Sequence, residues 1–172
     1  PITPPTVSSF NPVTTGEISK LLSDSPETNC DLDPIPISLL KQCSSVLLPT
    51  ITYIINLSLS TSTFPDQFKS CSVHPHLKKP SLDKENLANY RPISHLSYLS
   101  KLTERLVKSR LTDHLCHNNL LNPFQSAYIK GHSTETTLLS VHDHIIQAMS
   151  LQQVTCLTLL HLTAAFDTIH HS

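Results

Sequence analysis

The chain has 172 residues, with 12 Lys and Arg against 13 Asp and Glu, 11 His, five Cys, no Trp and only two Gly. That length suits one ordinary domain or a piece of a larger one, and 38% hydrophobic with 15% charged residues excludes both a membrane protein and a disordered polyampholyte. A net charge of −1 argues against tight autonomous binding to nucleic acid, whose phosphates demand a surplus of Lys and Arg. With Gly16 and Gly131 alone, no Gly-rich phosphate cradle can be written. The cysteines are odd in number and form no CxxC, which excludes a disulfide framework and a Cys-based zinc site. The chain opens without Met, as expected of a fragment or a processed chain. It shows no signal peptide and no apolar run long enough to span a bilayer, so an intracellular soluble protein is expected.

Residues 1–13 are rich in Pro, Ser and Thr and read as extended. Thr14 is a candidate N-cap with Glu17 in the capping-box position, opening a short helix through Leu22. Residues 31–36 form a turn, and Pro34 and Pro36 can start a helix over 37–46. Pro49 is expected to reset the chain, and Ile51, Ile54, Ile55 and Leu59 then recur at helical spacing until about 61–65.

The pattern changes after residue 70. Cys71, Val73, Pro75 and Leu77 alternate with Ser72, His74, His76 and Lys78, which favours a strand. Residues 80–89 make a polar loop, and 90–94 a second short strand whose Pro92 argues against a central position. Leu99, Leu102, Leu106, Leu111 and Leu115 mark an amphipathic helix over 98–116 with basic residues outward. Residues 118–131 are irregular. Ser133 or Thr134 can cap a helix to about 149 that uses Leu138, Val141, Ile145 and Ala148. The β-branched, apolar run 154–162 reads as a buried strand. The order describes an α+β domain.

Several groups invite chemical hypotheses. His114 with His117, His142 with His144, and the pair His170-His171 lack the spacing that converges three or four zinc ligands, and a solvated surface explains them. No GxSxG and no recognisable nucleophilic cysteine is present. Lys78, Lys79, Lys84 and Arg91 would lie on the two arms and loop of a hairpin. Such a hairpin can clamp a triphosphate, Arg through bidentate bonds and Lys as a point charge. An edge hairpin blunted by charge is the competing explanation, and spacing alone favours it. The run ending in Phe166-Asp167 has the look of a strand end that presents catalytic groups; composition leaves it a strand and a turn.

Taken together, these segments resemble the reverse transcriptase of non-LTR (LINE-like, jockey-type) retrotransposons. The resemblance rests on Leu32-Asp33-Pro34-Ile35-Pro36, Phe64-Pro65-Asp66-Gln67-Phe68-Lys69, Leu77-Lys78-Lys79-Pro80, Asn89-Tyr90-Arg91-Pro92-Ile93-Ser94, Phe124-Gln125-Ser126-Ala127, Gly131-His132-Ser133-Thr134-Glu135-Thr136 and Leu162-Thr163-Ala164-Ala165-Phe166-Asp167. It implies a partial right-hand polymerase: a helical N-terminal extension over 1–66, then fingers and the first palm strand over 67–172. It implies an RNA template, a DNA primer and a possible remainder of the polymerase chain as partners, and Mg²⁺ held by palm aspartates for nucleotidyl transfer. Lys78, Lys79 and Arg91 take the place of fingers contacts to template or incoming triphosphate. Phe166 matches the aromatic gate against the sugar 2′-hydroxyl.

This chain departs from that pattern at its chemical centre. His161 stands where the family has its first metal-binding Asp, and imidazole is a poor ligand for a hard cation that takes oxygen donors. Asp167 matches a different family position. The family's second catalytic strand, an aromatic-x-Asp-Asp turn, has no counterpart up to Ser172. Ala127, Ile129, His95 and His170 also replace usual family residues. The expectation is an RNA-directed DNA polymerase fragment that is catalytically inactive as it stands. A longer chain, a partner supplying the missing palm, or Asp at position 161 would restore activity. The alternative is a non-catalytic nucleic-acid-binding or interaction module derived from such a domain.

Overall fold

In the computed structural model, which describes residue 7 and residues 9–161, local capping chemistry sets the start of each long helix but one. Helix α1 (Thr15–Ser23) opens on a complete capping box: the Thr14 side chain accepts from the Glu17 backbone, and the Glu17 carboxylate accepts from the Thr14 N–H at 2.8 Å. Helices α2 (Ile37–Gln42) and α3 (Ser44–Thr61) follow, then the single turn α4 (Asp66–Lys69). Strands β1 (Cys71–Leu77) and β2 (Tyr90–Leu96) pair antiparallel, Cys71 opposite Leu96 and Leu77 opposite Tyr90. Helix α5 (Tyr98–His117) starts from Ser97, and α6 (Thr134–Ser150) from Ser133, each cap side chain accepting a backbone N–H of the first turn. The described residues combine α-helices with one small two-stranded antiparallel sheet, an α+β composition.

The chain divides between Leu120 and Leu121 into two compact units. The core of the first unit is one cluster in which Ile18 and Leu22 of α1, Ile51 and Ile55 of α3, and Tyr98, Leu102 and Leu106 of α5 meet. The α5 stripe follows i, i+4 spacing, and the small Ser100 and Thr103 beside it are fully buried, which lets neighbouring backbone approach closely. Ser100 donates to the carbonyl of Phe68 at 2.8 Å, and so ties α4 to α5.

Three expectations need correction. Pro49 does not reset the chain; α3 runs through it, and the break falls at Cys43, which ends α2 and precedes α3. Pro49, the sixth residue of α3, forgoes the bond to the carbonyl of Ser45 and crowds that carbonyl with its ring, but Ser45 is exposed, so water can take the acceptor while Ile51 and Ile55 are buried below. The anticipated helix over 37–46 is correspondingly split in two. The strand expected over 154–162 is absent from the described part of that run: residues 154–161 form no strand, with Val154 98% and Leu160 91% exposed. A strand is stable only when its backbone groups pair with a neighbour, and the only ladder among the described residues is β1–β2.

A basic hairpin as candidate nucleic-acid interface

The candidate site lies on the β1–β2 hairpin. Because side chains alternate across a strand, the register puts Cys71, Val73, Pro75 and Leu77 on one face with Tyr90, Pro92, Ser94 and Leu96. The opposite face carries Ser72, His74 and His76 with Arg91, Ile93 and His95. Arg91 sits directly across from His76. His74 and His95 stack edge-to-face with ring centroids 4.8 Å apart, and His74 Nε2 is 3.2 Å from the Ser72 hydroxyl. Pro75 and Pro92 face each other across the ladder, and a two-stranded sheet, all edge, tolerates their missing N–H groups.

The loop joining the strands is held by its own polar groups. The Lys78 ammonium donates to the Ala88 carbonyl at 2.6 Å, and the Lys78 N–H extends the ladder to the Asn89 carbonyl at 2.8 Å. The Asn89 amide donates to the Asp83 carbonyl and the Tyr90 hydroxyl to the Lys84 carbonyl, at 2.8 and 3.0 Å. Lys78 is therefore partly spent on positioning the loop. The side chains of Lys79 and Arg91 are exposed and make no hydrogen bond or ion pair with the described residues. Across residues 71–96 four Lys and Arg face two acids, so this segment is locally cationic within a near-neutral chain.

The junction from β2 into α5 is pinned by a residue the sequence offered only as part of a motif. The Asp33 carboxylate accepts from the Tyr98 N–H at 2.6 Å and from the Cys30 N–H at 3.0 Å. An anion at the first turn of α5 also meets the positive end of the helix dipole. Asn56 of α3 performs a similar function for residues 10–14, with its amide accepting from the Val13 N–H and donating to the Val13 carbonyl. Arg110, expected on the outer face of α5, instead reaches back to the Asn11 carbonyl at 2.8 Å and to Glu17 at 3.3 Å. These long-range partners carry no local sequence signal.

In the second unit, Phe124 and Ser126 line one open cavity of about 650 Å³ together with Gly131, His132 and Thr136, so two of the motifs converge. His161 is exposed and outside any strand. Phe166 and Asp167 lie outside the described residues. The histidines at 114, 117 and 144 sit on helices, where Nδ1 of His117 and of His144 bonds the carbonyl one turn back. Among the described residues no three His, Cys, Asp or Glu side chains are gathered so as to hold a metal ion. Among those residues, too, no helix is long and apolar enough to cross a membrane.

Residues 77–172, which include Arg91 and most of the hairpin, match the family model for reverse transcriptase (RNA-dependent DNA polymerase). The chain belongs to the reverse transcriptase family. It is similar to a probable RNA-directed DNA polymerase from transposon BS of Drosophila melanogaster, 30% identical over 94% of this chain and 18% of the relative. The corresponding protein of the X-element of the same fly is 28% identical over 99% of this chain and 18% of its own length. An RNA-directed DNA polymerase from its mobile element jockey is 29% identical over 72% of this chain and 13% of that protein. The chain thus spans less than a fifth of each of these relatives.

Proposed function

We propose that this chain is the fingers side of an RNA-directed DNA polymerase of a non-LTR retrotransposon and that its hairpin meets the phosphates of template or incoming nucleotide. The observation that carries this reading is the exposed cationic arm: Arg91 on the polar face of β2 and Lys79 at the end of β1, both with side chains free to pair with an anion. Arg supplies a bidentate fork to phosphate and Lys a mobile charge, while the Lys78–Ala88 bond holds the loop that presents them. On this reading the helices before residue 67 form the N-terminal extension. Phe166, by resemblance, would abut the nucleotide sugar.

The magnesium chemistry of the family does not fit the described residues. His161 brings a nitrogen donor and no negative charge to the position of the first ligand, and among the described residues no three candidate ligands are gathered so as to hold a metal ion. The proposal is therefore a nucleic-acid-contacting polymerase part without nucleotidyl transfer of its own. Filter binding of a primed RNA across a salt titration tests the contact. Arg91→Ala with Lys79→Ala is expected to weaken binding and flatten the salt dependence by roughly one to two phosphate contacts. Binding that is unchanged in this pair, or undetectable at low salt in the native chain, overturns the hairpin reading.

A further inference from the structure

Away from the hairpin, a small pocket opens between the 25–33 segment and the start of α5. It has a volume of about 70 Å³ and is lined by Ser25, Thr28, Asp33, Tyr98, Lys101 and Arg105, among others. Its donors are in an unusual state. The Ser25 hydroxyl is buried and donates its single proton to the Leu21 carbonyl at 2.6 Å. The Tyr98 hydroxyl lies 3.3 Å from Ser25 Oγ, so the phenol is the donor of that long bond and can turn to a better acceptor. Burial raises the Tyr98 phenol above its ordinary pKa, opposed by the Ser25 bond and by the nearby Arg105 charge, so it keeps its proton.

Lys101 and Arg105 stand one turn apart on α5, and neither side chain has a carboxylate or hydrogen-bond partner among the described residues. Like charges at i, i+4 repel, which favours an anion between them. Asp33, the one acid at the pocket, already accepts two backbone N–H groups. The pocket has room for a small oxyanion, since a single water needs only about 10–15 Å³ of such space.

We infer that this pocket binds one phosphate group through the Lys101 ammonium, the Arg105 guanidinium and the Tyr98 hydroxyl. The phosphate can be free inorganic phosphate or a phosphodiester of a single-stranded nucleic acid. The inference stands apart from the hairpin, which shares none of these residues.

The test is titration of the full chain with inorganic phosphate against chloride at equal ionic strength, followed by ³¹P line broadening. A parallel arm measures salt-dependent binding of a single-stranded oligonucleotide. Lys101→Gln with Arg105→Gln is expected to abolish phosphate binding, and Tyr98→Phe, which keeps the packing, to weaken it about tenfold. The same titration in the Lys79→Ala, Arg91→Ala background, which removes the hairpin's own phosphate contacts, is expected to show the same loss on Tyr98→Phe. Far-UV circular dichroism checks that each variant is folded; should the double variant not fold, Tyr98→Phe decides alone. Binding of inorganic phosphate that Tyr98→Phe weakens supports a free-phosphate site. A response confined to the oligonucleotide, with a salt slope lowered by about one contact in the double variant, supports the phosphodiester. Overturning results are no binding in either arm, or binding that folded Tyr98→Phe and the double variant leave unchanged.

Discussion

Asp33→Ala removes the carboxylate that joins the 30–33 turn to the first turn of α5. Two bonds are lost, the 2.6 Å bond from the Tyr98 N–H and the 3.0 Å bond from the Cys30 N–H. Hydrogen bonds to a charged group contribute about 1.5–3 kcal/mol each, and a carboxylate at a helix N-terminus adds about 0.3–1 kcal/mol. Asp33 is half-buried, so water recovers part of this loss, and the expected destabilisation is about 2–4 kcal/mol. Asp33→Asn keeps the shape and one acceptor oxygen and is expected to cost about half as much. Urea unfolding of the full chain, followed by circular dichroism, measures both as shifts in midpoint at constant slope. A loss below about 0.5 kcal/mol for Asp33→Ala would refute the reasoning, because it would mean that solvent replaces both bonds at no cost.

Other consequences follow from particular contacts. Leu102 is 1% exposed at the centre of the core, so Leu102→Ala should destabilise the chain by about 2–5 kcal/mol in the same urea assay. Asn56→Ala strips both partners from the Val13 backbone and should cost about 2–3 kcal/mol, again read from the urea midpoint. The Thr14 N–H, and less strongly the Arg110 charge, hold the Glu17 carboxyl below its usual range, against partial burial that raises it. A group depressed in the folded state stabilises above its unfolded pKa, and that stabilisation fades as pH falls through the lower folded value. Stability measured from pH 6 down to 3 should thus fall more steeply in the native chain than in Glu17→Gln below about pH 4.3.

What was legible in the sequence was local. The Thr14–Glu17 capping box, the Ser133 cap, the hairpin and the amphipathic α5 each carry their signal within one turn or one alternation, and each formed. Pro49 misled because its cost in the helix, about 3 kcal/mol for a lost bond and a crowded carbonyl, is offset by the burial of Ile51 and Ile55, about 1.5–3 kcal/mol each. The run at 154–161 has strand composition, but composition does not supply a neighbouring strand. Arg110 looked like a solvated cation because its partners, Asn11 and Glu17, lie more than 90 residues away. At the candidate interface, position and charge were readable, whereas the diversion of Lys78 to the Ala88 carbonyl needed the folded loop.

The most direct test of the account is template-dependent incorporation of deoxynucleotides on a primed RNA with Mg²⁺, and then with Mn²⁺, comparing the native chain with His161→Asp. The account predicts that the native chain binds the primed RNA and incorporates nothing. Incorporation by the native chain would contradict it, and would make the residues around His161 a working metal site.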